Sequence, residues 1–189
     1  MEAFLVSTGI VALAEMGDKT QLLALVLAAR FKKPWPIVAG IFVATILNHA
    51  LAGAAGAWVT TLISPQTLRW ILGISFIAMA VWILIPDKLE KEDESRAPRF
   101  GVFATTVAVF FLAEMGDKTQ IATVMLAARY NAMIAVVAGT TLGMMLANAP
   151  VVWLGERVTR LVPLRVVHIV SACVFAVLGV IAIWPLLFA

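Results

Sequence analysis

A six-residue stretch with two carboxylates and a lysine occurs twice in this chain. Glu-Met-Gly-Asp-Lys-Thr spans residues 15–20 and returns unchanged at residues 114–119, 99 positions later. Both copies lie inside long apolar runs that are typical of membrane-embedded segments. Because ionisable side chains are costly in the interior of a bilayer, they usually mark a functional site there. The chain must therefore adopt a fold that buries the same costly group of residues twice.

The composition predicts an integral membrane protein. Of the 189 residues, 62% are hydrophobic and only 13% are charged, with a net charge of +3. A soluble domain is about half apolar and about a quarter charged. The basic residues fall in short segments between apolar runs, a pattern typical of membrane topology rather than of nucleic-acid binding. The first apolar run has no basic residues before it, so we expect a membrane helix there and not a cleaved signal peptide.

Six apolar stretches predict six transmembrane helices, because one span needs roughly 20 apolar residues. The predicted spans cover about 3–29, 36–60, 67–86, 101–128, 132–155 and 165–187. A mixed charge run between the third and fourth spans is typical of a solvated linker. The predicted fold is therefore an all-α integral membrane protein.

The two halves of the chain correspond along their length. A shift of 99 residues aligns Gly40 with Gly139 and Phe76 with Phe175, without a gap. Because three crossings are an odd number, the second half enters the membrane from the opposite side. Such inverted repeats are common among secondary transporters. The predicted organisation is a first three-helix repeat at 1–86, a charged cytoplasmic linker at 87–100 and a second, inverted three-helix repeat at 101–189.

Lysine and arginine are concentrated on one side of the predicted membrane. That side collects Arg30, Lys32, Lys33, Lys88, Lys91, Arg96, Arg99, Arg157, Arg160 and Arg165. The other side collects Arg69 and Arg129. Because cytoplasmic loops are rich in basic residues, we expect the first side to be cytoplasmic and both termini to be extracytoplasmic.

Four intramembrane carboxylates form a candidate metal site: Glu15, Asp18, Glu114 and Asp117. In each copy the Glu and Asp are three residues apart, a spacing that predicts one shared helix face. A glutamine three positions further on, Gln21 or Gln120, extends this face. Carboxylate and amide oxygens suit Ca²⁺, Mn²⁺ and Mg²⁺, whereas zinc and copper sites favour His and Cys.

The charges predict that a cation and protons can replace each other at this site. The four carboxylates, Lys19 and Lys118 carry a net charge of −2 if all are ionised. One divalent cation or two protons would neutralise that charge, and burial among like charges favours protonation of carboxylates. The lysines are interpreted as charge-balancing groups that pair with a carboxylate when the site is empty. A site that holds either a cation or protons is the minimum that an antiporter needs.

Other residues near the motif have two interpretations each. Gly17 and Gly116 either break the helix and free carbonyl groups for the ion, or allow close helix packing. Thr20 and Thr119 either line the site or bond to a backbone carbonyl. Asn48, Asn148 and His49 either complete the cation shell or form hydrogen bonds between helices.

At these residues the sequence resembles a family of small cation/proton exchangers. The pattern E-x-G-D-[KR]-[ST], present once in each of two three-helix halves, is shared by Golgi manganese/calcium transporters and bacterial manganese exporters. The resemblance implies export of Mn²⁺, with Ca²⁺ as a second candidate, in exchange for protons and without a resident cofactor. It places the functional acids on the four carboxylates above. The chain lacks the long N-terminal extension of organellar members, which favours the inner membrane of a bacterium.

Competing functions remain open to different degrees. A divalent-cation channel or uniporter could use the same acids, although the inverted repeat favours alternating access. An intramembrane aspartyl protease needs two aspartates that share one proton, whereas each Asp here has a Glu and a Lys beside it. Gly-Asp-Lys-Thr also lacks the spacing of a phosphate-binding loop. We therefore expect no enzyme activity, substrates limited to a divalent cation and protons, a lipid bilayer as surroundings and no nucleic-acid partner. The sequence is also compatible with a homo-oligomer.

Overall fold

The computed structural model describes residues 1–85, 101–155 and 164–187, and within these ranges the chain is helical. The helices are α1 (Glu2–Glu15), α2 (Lys19–Phe31), α3 (Pro34–Leu62), α4 (Pro65–Trp82), α5 (Val102–Glu114), α6 (Lys118–Tyr130), α7 (Met133–Leu154) and α8 (Leu164–Leu187). The predicted charged linker at 87–100 lies outside the described residues.

The first and fourth predicted spans each consist of two short helices. α1 ends at Glu15 and α2 begins at Lys19, while α5 ends at Glu114 and α6 begins at Lys118. The Glu and Asp of one motif copy therefore do not share a face of a continuous helix. That part of the prediction is wrong, because the helix stops between the two acids.

Both interruptions have the geometry of a type II turn. In the first copy Met16 has φ −65° and ψ 114°, and Gly17 has φ 84°. The corresponding residues of the second copy have φ −63° and ψ 120°, followed by φ 75°. In each turn the Asp amide donates to the carbonyl oxygen of the Glu three residues earlier, at 3.1 Å. A type II turn requires positive φ at its third residue, where only glycine avoids a steric cost from Cβ.

The outer ends of the short helices are also alike. α2 is followed by Lys32 (φ 52°) and α6 by Asn131 (φ 47°), both in the left-handed region. Their amides donate to the carbonyl oxygens of Ala28 and Ala127 and so close the last turn. Proline at the first position then starts α3, as its fixed φ favours.

The helices of the two repeats interleave. α1 packs mainly on α7, α5 packs on α3, and α4 packs on α8. A Cβ atom at Gly139 would lie 2.5 Å from the carbonyl oxygen of Phe4, and one at Gly40 would lie 3.0 Å from that of Phe103. These two contacts correspond at the 99-residue shift. Each repeat thus uses a glycine of its long helix to approach the first helix of the other repeat.

Among the described residues, three helices are each long and apolar enough to cross a membrane. They are α3, α7 and residues 165–187 of α8, and α5 is a shorter apolar helix. The described chain is therefore an all-helical protein with clear membrane spans. The interleaved packing brings the two interrupted helices together between α3 and α7.

Candidate metal site

Three of the four predicted acids form one buried cluster. Glu15, Glu114 and Asp117 each offer a carboxylate oxygen, and these oxygens all lie within 4.8 Å of one another. Glu15 and Glu114 are 0% exposed and Asp117 is 4% exposed. The cluster thus combines the last residue of α1, the last residue of α5 and the residue before α6. Asp18 is buried too, at 3% exposure, but does not belong to this cluster.

Each glutamate is held by the threonine of its own motif copy. The Thr20 hydroxyl donates to Glu15 Oε2 at 2.6 Å, and the Thr119 hydroxyl donates to Glu114 Oε2 at 3.0 Å. The second oxygen of each glutamate, Oε1, is buried and has no hydrogen-bond partner among the described residues. A buried carboxylate oxygen without a partner is costly, so it needs a proton or a cation. The site therefore presents two oxygens prepared for a positive ligand.

The glutamines connect both turns to the other repeat through hydrogen bonds. The glycine amide of each turn donates to the side-chain oxygen of the glutamine in the same copy, at 3.0 Å for Gln21 and 2.7 Å for Gln120. The amide nitrogen of Gln21 donates to the carbonyl oxygen of Ala147 on α7 at 3.0 Å. That of Gln120 donates to Asn48 Oδ1 on α3 at 3.4 Å. In these contacts the glutamines position the turns.

The two asparagines lie in different surroundings. Asn48 also donates to the carbonyl oxygen of Phe111 at 3.0 Å, so it links α3 to both α5 and α6. Asn148 donates within its own helix, to the carbonyl oxygen of Met144 at 3.1 Å and to its sulfur at 2.9 Å. The structure therefore joins Asn48 to a motif and directs the amide of Asn148 back along α7. A role for either one in cation binding stays a prediction.

The two histidines of the chain lie in different surroundings. His49 is 0% exposed, and neither ring nitrogen has a hydrogen-bond partner among the described residues. The Nε2 atom of His168 lies 3.1 Å from the carbonyl oxygen of Met16, inside the first turn. This second contact joins residues 152 positions apart. Sequence reasoning missed it, since nothing in the local pattern around His168 indicates it.

The two motif lysines make different contacts although their sequence surroundings are identical. Lys19 Nζ forms an ion pair with Asp117 Oδ1 of the other repeat at 2.9 Å. Lys118 Nζ donates to the carbonyl oxygen of Ile85, just beyond α4, at 3.1 Å. The side chain of Lys19 is 25% exposed, whereas Lys118 is 4% exposed. Charge compensation across the repeats is therefore seen at Lys19.

Such a site can bind and release a cation without any bond-making chemistry. A helical membrane bundle with buried acids from both sequence repeats is typical of a membrane transporter for cations. The profile of a family described as "Divalent cation/proton antiporter GDT1" matches residues 3–91 and 102–188. The chain belongs to this family, and it is a membrane transporter and not an enzyme.

Several named proteins are similar to nearly the whole chain. A protein of Vibrio cholerae named "Putative manganese exporter" is 51% identical over 180 residues, which are 95% of this chain and 89% of the relative. A GDT1-like protein of Synechocystis is 30% identical over 203 residues, or 97% of this chain and 98% of that protein. GDT1-like protein 5 of Arabidopsis thaliana is 24% identical over 217 residues, or 95% and 94% of the two chains. No solved structure matches the chain. The family resemblance predicted from the repeated motif is confirmed.

Proposed function

We propose that this protein exports a divalent cation in exchange for protons, with Mn²⁺ as the first substrate and Ca²⁺ as the second candidate. The observation that carries the proposal is the buried cluster of Glu15, Glu114 and Asp117, in which each glutamate keeps one oxygen without a described partner. Oxygen ligands suit both ions. The name of the Vibrio cholerae relative favours Mn²⁺.

Exchange follows from what those two oxygens can accept. Thr20 and Thr119 occupy one oxygen of each glutamate, so a proton and a cation both have to use the other oxygen. A proton bound there removes the negative charge that attracts the cation. A cation bound there keeps the proton away. This mutual exclusion couples export of the cation to entry of protons.

The membrane arrangement that we propose has six crossings. α1 and α2 contain 14 and 13 residues, which at 1.5 Å per residue extend about 40 Å together and exceed the roughly 30 Å hydrocarbon core. Each interrupted pair then counts as one crossing, and the two repeats have opposite orientations. The distribution of basic residues supports a topology with both termini outside the cytoplasm, and we propose the bacterial inner membrane as the location.

α4 and α8 pack on some of the short helices and leave others more exposed, and this inequality supports alternating access. α4 packs on α6 and α8 packs on α1. In the proposed orientation α1 and α6 are the extracytoplasmic half-helices. Ala128 on α6 is 5% exposed, whereas its counterpart at the 99-residue shift, Ala29 on α2, is exposed. The two repeats are therefore not covered equally, and such a difference between corresponding half-helices is what alternating access requires.

The proposal is tested by ion flux in proteoliposomes that contain the purified protein. A pH gradient is imposed, Mn²⁺ and Ca²⁺ are supplied separately, and lumenal pH is recorded together with cation uptake. We expect uptake to follow the pH gradient and to move protons in the opposite direction. A cation that moves down its own gradient without protons would instead identify a channel or uniporter.

The site assignment is tested by Glu15→Gln and Glu114→Gln in the same assay. Each substitution keeps the shape of the side chain and removes its charge, so we expect each to abolish flux while the protein still folds. Glu2→Gln is the matched control, because Glu2 is an exposed acid at the start of α1. Near-normal flux in both site variants would show that these acids do not bind the transported cation.

A further inference from the structure

We infer that Lys19 is an internal competitor for the transported cation. Its ammonium group occupies Asp117 when the site holds no ion, and the substrate has to displace it. The inference rests on the proposed function and deepens it. It assigns to one lysine of a repeated pair the role of setting cation affinity and release.

Asp117 differs from the other two acids of the cluster because both of its carboxylate oxygens have partners. Its Oδ1 atom pairs with Lys19 at 2.9 Å, and its Oδ2 atom accepts a long bond from the Thr119 amide at 3.5 Å. Glu15 and Glu114 each keep one oxygen without a described partner. A cation bound by all three acids therefore meets two available oxygens and one carboxylate that a lysine already holds.

Displacement has an accessible route because of where Lys19 lies. Its side chain is 25% exposed, so the ammonium is not enclosed by the protein and has room to withdraw from Asp117. An ammonium and a divalent cation at one small cluster repel each other, which drives this movement when the cation binds. When the cation leaves, Lys19 returns to Asp117 and compensates its charge. The lysine thus weakens binding and favours release.

Lys118 is not a suitable control for the charge of Lys19. It occupies the same position of the second motif copy but donates to the carbonyl oxygen of Ile85 and is 4% exposed. The control for the loss of one positive charge is therefore a lysine outside both motifs, Lys33, which is exposed just before α3.

The first experiment measures Mn²⁺ binding to purified protein from the electron paramagnetic resonance signal of free Mn²⁺. The wild type is compared with Lys19→Gln, Lys19→Arg and the control Lys33→Gln. We expect Lys19→Gln to lower the Kd at least about tenfold, equivalent to about 1.4 kcal/mol. Lys19→Arg keeps the charge and should bind as weakly as the wild type, and Lys33→Gln should remain near the wild-type Kd. At saturating Mn²⁺, Lys19→Gln should transport more slowly because release is slower.

A second measurement uses the wild type and so does not depend on whether a variant folds. Amine acetylation is mapped by mass spectrometry with and without Mn²⁺. Binding should increase modification of Lys19 relative to that of Lys33, because the Lys19 ammonium leaves Asp117. Unchanged or reduced modification of Lys19 in protein that binds Mn²⁺ would overturn the inference.

The outcomes separate this inference from the proposed function. Mn²⁺ binding by the wild type with an equal or weaker affinity in Lys19→Gln overturns the competitor role and leaves the exchanger proposal standing. Absence of binding in the wild type counts against the exchanger proposal. In that case, binding by Lys19→Gln alone would still support competition, and absence of binding in both proteins would refute both statements.

Discussion

Gly143 lies where α7 touches the backbone of α1, and its replacement by alanine tests the packing between the two repeats. A Cβ atom at this position would lie 2.6 Å from the carbonyl oxygen of Thr8, 2.9 Å from the amide nitrogen of Ala12 and 3.0 Å from Cβ of Val11. Backbone atoms cannot move aside individually, so α1 has to shift as a whole. α1 ends at Glu15, so the shift also disturbs the acid cluster.

The magnitude follows from a comparison with Gly9→Ala on α1. A Cβ atom at Gly9 meets nothing within 4 Å, so alanine there should stabilise the helix by about 0.5–1 kcal/mol. Gly143→Ala should stabilise its helix by a similar amount, but it adds the cost of an overpacked interface, about 1–3 kcal/mol. Because both variants share the helix stabilisation, their free energies of unfolding should differ by about 1–3 kcal/mol.

The assay is unfolding of the purified variants by sodium dodecyl sulfate in mixed micelles, followed by circular dichroism. Mn²⁺ flux is measured on the same preparations, and we expect it to fall in Gly143→Ala and to persist in Gly9→Ala. Equal stability of the two variants would refute the close approach of α7 to α1. Normal flux in a destabilised Gly143→Ala would show that the position of α1 does not control the site.

Two further predictions concern the second motif copy. Gly116→Ala should lower the free energy of unfolding by about 1–2 kcal/mol, because a side chain at φ 75° is strained although its Cβ atom meets nothing within 4 Å. The same detergent titration measures this effect, and an unchanged midpoint would contradict the turn geometry. Thr119→Val removes the hydroxyl that donates to Glu114. Loss of a hydrogen bond to a charged group costs about 1.5–3 kcal/mol, so Mn²⁺ flux should fall about tenfold or more. Its control is Thr123→Val, whose hydroxyl donates to a carbonyl oxygen in the same helix, and equal flux in the two variants would argue against the role of Thr119.

The helical class of the protein could be predicted from hydropathy, but the interruptions could not. Residues on both sides of each turn are apolar, so a sliding average gives one continuous span. The signal was present in Glu-Met-Gly-Asp itself, whose glycine occupies the third position of a type II turn. The sequence left a helix break and close packing equally open for Gly116. The structure has φ 75° and nothing within 4 Å of a Cβ atom there.

The acids of the cluster could be predicted from their depth in apolar runs, whereas their partners could not. The 99-residue shift aligns Asn48 with Ala147, so Gln21 and Gln120 meet different acceptors in otherwise equivalent positions. Lys19 and Lys118 have identical neighbours in sequence, and only tertiary packing separates their contacts. Pattern reasoning predicts the same partners for both copies, and it fails for Gln21 and Gln120 because their acceptors differ in kind.

The interrupted helices also determine which charges act permanently on the site. Each helix carries a dipole equivalent to about half a positive charge at its start and half a negative charge at its end. α1 and α5 end at the glutamates, and α2 and α6 begin just after the aspartates. Two negative ends and two positive ends thus lie at the same level, and their fields largely cancel there. The backbone leaves the site nearly neutral, so protonation of the side chains alone can change it from one that attracts a cation to one that releases it.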